Sequence, residues 1–399
     1  KAAEGAGRVV SASDPIIVYL DTSDYVRLYT AADDSDYGNI RSSLLSFVDS
    51  RTVRIGLSFP IVFELLQDCS PEFLEDRLAR ANFLERVCGA HAFAHLADMR
   101  DGRLHLSDDG IWMPREVVRR FNLSGLEKEL TKRIRSDTRG NRKQRRALSR
   151  SQTIRDVIRA NRDAFDLSAS DLPFPFPDEF VRERYFTRYL LREITEAEAA
   201  AALARWFTEP SVFFQVWFKY YGQPNLLKSL IDNHIDKFFS TIQGVVDARA
   251  AVATKREELM QKIRVMEDAA RKLPFALSAS ILNKAKELRR QLAKRLGLQP
   301  VELINLYSTI GRERAQFMEA YFEGATRGAY RSKRSDLVDM MHAMYIPDCD
   351  LWRGDRGFSD VLIKNNVAYK ERIVRSLEDL PARISDALSR KSSFGGAPR

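Results

Sequence analysis

Short apolar runs alternate with helical patterns at both ends of the chain. Residues 16–20 are apolar and mostly β-branched, which is typical of a buried parallel strand. Residues 53–57 predict a second strand and residues 349–353 a third. Helical periodicity follows each of the first two runs, and a short helix opened by Ser335 precedes the third. Strands that alternate with helices predict an α/β fold, a Rossmann-like parallel sheet with right-handed crossovers.

The middle of the chain has a different pattern, which is helical almost throughout. Three prolines alternate with apolar residues between Asp171 and Asp178, and they predict a break because proline cannot continue a helix. Thr195 and Glu198 have the spacing of a capping box and predict the start of a helix. We therefore expect a large all-α insertion over residues 114–330, between core halves at 14–113 and 331–390.

A helical hairpin is expected over residues 245–297 of this insertion. Apolar residues recur there every seven positions: Val245, Val252, Leu259, Met266 and Leu273. Arg249 and Arg256 fall on the partner positions, so the seam is only half apolar. Pro274 ends the first helix, and a second apolar face follows over residues 281–296.

The net charge and its distribution indicate what kind of partner the protein binds. Lys and Arg number 64 against 55 Asp and Glu, which gives +9. Residues 131–150 hold nine basic residues and one acid, a net of +8, so a polyanion such as nucleic acid is the expected partner. A solvated basic loop is the alternative interpretation. The predicted nucleic-acid contacts in this basic segment are Lys132, Arg133, Arg135, Arg139, Arg142, Lys143, Arg145 and Arg146.

Other classes of protein are excluded by composition. No run approaches 18 apolar residues, which argues against a membrane-spanning helix, and the first residues lack a secretory signal. Three cysteines without CxxC spacing are too few for a disulfide scaffold, so a cytoplasmic location is expected. His91 and His95 are four residues apart but lack the glutamate of a zincin motif, and two half-buried helix residues are the preferred interpretation.

Carboxylates follow or flank each predicted strand. Asp21 ends the first strand, and Glu64 lies on the helix after the second, six residues past Ser58. Asp336 lies on the helix before the third strand and Asp355 just past its end. Ligands bind at the carboxyl edge of a parallel sheet, so these acids are expected to converge there. Clustered carboxylates repel one another unless a cation lies between them, and oxygen ligands suit Mg²⁺ or Mn²⁺.

These residues resemble the successive motifs of PIN-domain nucleases. The matching segments are residues 16–23, 58–65, 335–342 and 350–358, although Arg353 stands where the family has Thr. The resemblance implies a PIN-like Rossmann core, dependence on a divalent metal, and hydrolysis of single-stranded RNA that leaves 5′-phosphate ends. It covers about the first hundred and the last seventy residues. It implies that Asp21, Glu64, Asp336 and Asp355 are the catalytic metal ligands.

Several alternatives stay open. Asp339 lies one helical turn from Asp336 and is a second candidate for the third ligand, or it orients His342. Arg334 and Arg353 flank the acidic motifs and are predicted to contact nucleic acid, or to pair with the acids themselves. DNA is an alternative to RNA. A prokaryotic toxin or anti-phage effector is the expected setting. The alternative function is a catalytically silent PIN-like scaffold that binds nucleic acid or a protein partner through its helical insertion.

Overall fold

The computed structural model describes residues 14–65, 71–100, 102–120, 123–125, 127–128, 178–221, 224–272, 280–288, 312–326, 333 and 335–394. The described chain divides into two units. The first contains the residues up to Leu230, Asp348–Arg353 and the residues from Val374 onward, and the second contains Ile231–Pro347 and Gly354–Ile373. The expected boundaries at residues 113 and 331 stay a prediction.

The structure is mixed α/β, with more helix than strand. The strands are β1 (Ile16–Tyr19), β2 (Val53–Ile55), β3 (Ala92–Phe93), β4 (Leu106–Ser107), β5 (Leu351–Arg353) and β6 (Ile373–Val374). The helices are α1 (Thr22–Thr30), α2 (Asp36–Asp49), α3 (Phe59–Leu65), α4 (Leu74–Cys88), α5 (Arg115–Arg120), α6 (Asp178–Arg182), α7 (Tyr185–Leu190), α8 (Glu196–Thr208), α9 (Pro210–Tyr221), α10 (Pro224–Arg271), α11 (280–288), α12 (Arg312–Thr326), α13 (Asp336–Ala343), α14 (Arg356–Lys364) and α15 (Leu380–Phe394).

A four-stranded sheet in the order β2-β1-β5-β6 organises the first unit. Strand β1 pairs in parallel with β2, where Ile16 faces Val53, and with β5, where Val18 faces Leu351. Every residue of β1 is buried, as the continuous apolar run predicted for a strand with neighbours on both sides. The three predicted strands are confirmed, each shorter than its apolar run.

Helices α1, α2, α3 and α4 follow the strands and pack around this sheet. The Ser35 side chain caps α2 by accepting from the Gly38 amide over 3.1 Å. Gly56, just after β2, has no room for a side chain, because a Cβ there would overlap the rings and methyls of Phe93 and Leu106. This close approach carries the chain from β2 into α3.

The helical region of the first unit supplies its own apolar core. The predicted capping box is confirmed: the Thr195 hydroxyl accepts from the Glu198 amide, and the Glu198 carboxylate accepts from the Thr195 amide over 2.7 Å. Helix α9 packs against α4 and α8. Phe213, Phe214 and Phe218 in α9 are buried, so these aromatic side chains belong to the core. The predicted break at 171–178 lies outside the described residues except for Asp178, where α6 begins.

In the second unit, the seven-residue pattern lies on one long helix, α10. Its C-terminal half buries Ile263 and Ala270 and half-buries Leu259 and Met266. Val252 is 51 % exposed, so the seam does not extend over the predicted length. The reason is that the arginine positions lie in that earlier half, where the partner stripe is polar. Helix α11 buries Ala285 on the predicted face, while Pro274 and residues 289–297 lie outside the described part.

A second small sheet was missed from the sequence. Strands β3 and β4 pair antiparallel, with Ala92 facing Ser107, and two-residue strands carry too little alternation to be recognised. His91 and His95 therefore flank β3, and the helix predicted for them is wrong because α4 ends at Cys88. Both are half-buried as expected. His91 Nδ1 lies 2.8 Å from an Asp108 carboxylate oxygen.

Among the helices in the described part of the chain, none combines the length and the apolar character that crossing a bilayer requires.

Candidate metal centre

Asp21 stands at the carboxyl end of the central strand. It occupies the N-cap position of α1, yet its carboxylate makes no capping hydrogen bond to the described backbone of that helix. Its main-chain carbonyl accepts instead from the Asp24 amide over 3.1 Å. The Ser23 hydroxyl donates to Asp21 Oδ2 over 2.9 Å and fixes the orientation of the carboxylate. The Asp21 carboxylate therefore does not act as the cap of α1.

Glu64 reaches the same edge of the sheet from α3. Ser58 precedes this helix and is completely buried, and its Oγ lies 2.8 Å from the Tyr19 hydroxyl of β1. This buried contact ties the start of α3 to the central strand. A carboxylate oxygen of Glu64 lies within 4.8 Å of one of Asp21. The predicted convergence of these two acids is therefore observed.

Two facing carboxylates form a donor set that suits a hard cation. Their mutual repulsion is costly in a partly buried place, and a divalent ion between them removes it. Mg²⁺ and Mn²⁺ bind carboxylate oxygens at about 2.1 Å, so one ion can contact two oxygens separated by up to about 4.2 Å. The observed spacing fits such an ion after a small adjustment of either side chain. Asp21 and Glu64 are the residues that would hold it.

A third carboxylate and a guanidinium lie behind this pair. Asp24 is one turn after Asp21 on α1 and has no exposed surface. Arg353, the last residue of β5, is only 4 % exposed, and its Nη2 lies 3.3 Å from Asp24 Oδ1. Neither Asp24 oxygen, and neither Nε nor Nη1 of Arg353, has a hydrogen-bond partner among the described residues. The two side chains form a buried ion pair with hydrogen-bonding capacity left over.

The environment of Asp24 changes its acidity. Burial raises the pKa of the Asp24 carboxyl to about 7, against the opposing effect of the Arg353 charge. The negative charge of Asp21 adds to the rise, while the positive charge of Arg27 lowers the pKa. A carboxyl with such a pKa is half ionised near neutral pH. Small changes in the charged groups around Asp24 therefore change its protonation state.

Asp24 is the residue that sequence reasoning missed. An acid in the first turn of a helix ordinarily lies at the surface or at the helix end, so the pattern alone predicts no buried role for it. The available signal was its spacing, because residues three apart lie on the same face of a helix, so Asp24 had to share the face of Asp21.

In the second unit, Asp336 is held by a local network. It begins α13 and is buried. Asp336 Oδ2 accepts from the Tyr321 hydroxyl over 2.9 Å and from the Lys333 amide over 2.6 Å. Tyr321 comes from α12, so the carboxylate links the two helices. These bonds are typical of a structural acid, and the ligand role of Asp336 stays a prediction.

Asp355 and Asp339 occupy different environments within that unit. Asp355 is exposed and caps α14, because its Oδ1 accepts from the Phe358 amide over 2.9 Å. Asp339 is half-buried on α13, and His342 on the same helix is buried. The choice between Asp336 and Asp339 as third ligand, and the ligand role of Asp355, stay predictions.

The predicted nucleic-acid contacts are only partly covered by the structure. The basic segment and Arg334 lie outside the described residues. Arg353 is among the described residues, and it is buried against Asp24. Its predicted contact with nucleic acid stays a prediction. A cavity of about 750 Å³ lies among α6, α7, α8 and α9. Its lining includes Arg205, which forms ion pairs with Glu179 and Glu209, and includes none of the described acids of the candidate centre.

Compared with known proteins, the chain matches no family model, no curated protein and no solved structure.

Proposed function

We propose that this protein is a divalent-metal-dependent nuclease with a PIN-like core that hydrolyses phosphodiester bonds in single-stranded RNA. The observation that carries the proposal is the approach of the Asp21 and Glu64 carboxylates to within 4.8 Å at the carboxyl edge of a parallel sheet. Such an approach is unfavourable without a cation. The order of the four acidic motifs along the chain adds support for the PIN-like assignment.

Each residue of the centre has a part in this reaction. Asp21 and Glu64 hold Mg²⁺ or Mn²⁺, and Ser23 keeps the Asp21 carboxylate oriented. The bound cation supplies charge stabilisation and a more acidic water. In the hydrolysis, a water oxygen bonds to phosphorus while the P–O3′ bond breaks. The 3′ oxygen takes up a proton, and the phosphate stays on the 5′ end.

RNA capture is assigned to the basic segment, whose net charge of +8 supports binding to a polyanion. We propose that the helical insertion controls access or binds a regulatory protein, in a toxin or anti-phage effector. Replacing Arg142, Lys143, Arg145 and Arg146 with serine is expected to weaken RNA binding and to flatten its salt dependence. The chemical step at saturating RNA is expected to change little.

The test is cleavage of labelled single-stranded RNA and DNA by the full chain, with Mn²⁺ and with EDTA. Asp21→Asn is compared with Asp34→Asn, an exposed acid nearby on the chain. We expect cutting only with Mn²⁺, loss of cutting in Asp21→Asn, and full activity in Asp34→Asn. Cutting in EDTA, or equal cutting by Asp21→Asn, would falsify the mechanism. If the protein cleaves DNA in preference to RNA, the proposed substrate is wrong and the proposed metal centre is retained.

One observation favours a second function. The Arg353 guanidinium already places a positive charge against Asp24 at this edge. In a catalytically silent scaffold, that charge would stand in for metal, and the chain would bind RNA or a partner without cutting it. RNA binding that is unaffected by EDTA, with no cleavage under any metal, is the result expected of the scaffold.

A further inference from the structure

The buried pair of Asp24 and Arg353 has a role that the proposed chemistry does not use. The Asp24 carboxylate is completely enclosed, and the Arg353 side chain is 5 % exposed. Nη2 of Arg353 is 3.3 Å from Asp24 Oδ1. Ionised groups are rarely buried unless they are paired, so each member is the reason the other can stay charged.

Contact with substrate does not explain this arginine. A backbone phosphate is a large, hydrated anion, and it cannot reach an arginine side chain of which 95 % is covered by protein. Phosphate-binding arginines present their planar fork of N–H groups to the ligand. Here the fork is enclosed, and Nε and Nη1 make no hydrogen bond with any described residue. The positive charge therefore acts inside the protein.

Charge balance at the edge indicates what it does. Asp21, Glu64 and Asp24 carry three negative charges when ionised, and Arg353 carries one positive charge. One divalent cation brings this group to neutrality, whereas two would leave an excess of two positive charges in a partly buried place. Asp24 has the donor oxygens for a second ion, yet the guanidinium is already beside them.

We propose that Arg353 is a built-in cation in the position that a second metal ion would need, so that the centre binds one divalent ion, on Asp21 and Glu64. This inference rests on the proposed metal-dependent function. It makes Arg353 a positioning residue, which holds Asp24 away from the bound ion and keeps its negative charge compensated.

The experiment counts bound Mn²⁺ on the full chain by electron paramagnetic resonance of the free ion. The measurement is made at pH 8, with the same buffer for every variant. We expect one ion per wild-type chain, one in Arg353→Lys, and two in Arg353→Met. Adding Asp24→Asn to Arg353→Met should restore one. Arg390→Met, an exposed arginine on α15, is the matched control and should bind one.

Several outcomes overturn the inference. Two ions in the wild type would show that Arg353 does not take the place of a metal, and one ion in a folded Arg353→Met would show that it excludes nothing. Loss of the ion in Asp24→Asn, to the extent seen in Asp21→Asn, would make Asp24 a ligand. No ion in the wild type would instead contradict the proposed function, which keeps the two failures distinguishable.

Folding of the variants is followed by thermal melting. If Arg353→Met does not fold, the wild-type count and Asp24→Asn decide the question, since the inference requires one ion in the first and Mn²⁺ affinity within about threefold of wild type in the second. Arg353→Met is also assayed for RNA binding. Weakened binding at an unchanged Mn²⁺ count would return Arg353 to a substrate role and overturn the inference.

Discussion

The acids at the sheet edge of the first unit and those on the helices of the second use the same side chain for different purposes. Asp336 accepts hydrogen bonds from a tyrosine and a backbone amide, and Asp355 caps a helix. Asp21, which also accepts from the Ser23 hydroxyl, and Glu64 bring carboxylate oxygens within 4.8 Å of each other, and Asp24 is buried without a hydrogen bond to its carboxylate from any described residue. Carboxylates that are satisfied locally stabilise a fold, whereas facing carboxylates lower its stability until a cation binds.

The same contrast separates stability from function. Removing a satisfied acid costs stability, because its donors lose their partner. Removing one of two facing acids costs activity and relieves repulsion. Substitution of a locally satisfied acid should therefore lower the free energy of unfolding, whereas substitution of a facing acid should lower RNA cleavage.

The largest effect is expected for Glu64→Gln. Loss of a metal-holding oxygen should lower RNA cleavage about a thousandfold, close to 4 kcal/mol in the activation free energy. The free energy of unfolding in EDTA should stay the same or rise slightly, because the repulsion with Asp21 is gone. Glu75→Gln, an exposed acid on α4, is the control for both measurements. A large loss of stability in Glu64→Gln would place this acid with the structural group.

Arg353→Met is expected to have the next largest effect, on stability. It leaves the Asp24 carboxylate buried without its partner, which costs about 4 kcal/mol in the free energy of unfolding. Urea denaturation in EDTA at pH 8 measures it, with Arg390→Met as the control at about zero. At pH 5 the loss should be smaller, because Asp24 can then take up a proton. An equal loss at both pH values would indicate that packing, and not charge, is what Arg353 provides.

Asp24 also predicts how wild-type stability depends on pH. Its folded-state pKa of about 7 lies above the ordinary value of 3.8, so the folded protein binds the extra proton between these values. The contribution is present below about pH 4 and is lost as pH rises through 7. Relative to Asp24→Asn in EDTA, the free energy of unfolding should fall by about 4 kcal/mol between pH 4 and pH 8. Parallel curves for the two proteins would exclude this linkage.

Asp336→Ala tests the locally satisfied group. It removes the acceptor of the Tyr321 and Lys333 hydrogen bonds and should cost about 2 kcal/mol in the free energy of unfolding. Asp386→Ala, an exposed acid on α15, should cost close to nothing. Counting Mn²⁺ on Asp336→Ala sharpens the comparison, since loss of the ion from a folded variant would show that this acid is a ligand as well.

The smallest effect is expected for Asp355→Ala. The substitution removes the cap of α14 and should lower the free energy of unfolding by about 1 kcal/mol. Asp355→Asn keeps an acceptor at the same place and should recover most of the loss. If Asp355→Asn is as stable as wild type but does not cleave RNA, the carboxylate has a part in catalysis beyond its cap.

Much of the architecture follows from sequence pattern. The three parallel strands and the Thr195 capping box were predicted, since each depends on residues close together along the chain. The two-residue strands were missed because so few positions carry no periodicity. The seam on α10 was predicted too long. A seven-residue repeat shows which residues share a face of the helix, but it does not show which of them another element buries.

Some residues of the candidate centre were predicted from the sequence, and others were found only in the structure. The sequence by itself placed Asp21 after a strand and Glu64 six residues past Ser58, and the rule for parallel strands was enough to bring them to one edge. Only the tertiary structure decided that Asp24 is buried and that Arg353, 329 positions further along the chain, lies 3.3 Å from it. The physical reason is that burial and pairing of charges depend on which strands become neighbours, and the local sequence pattern does not determine the order of the strands.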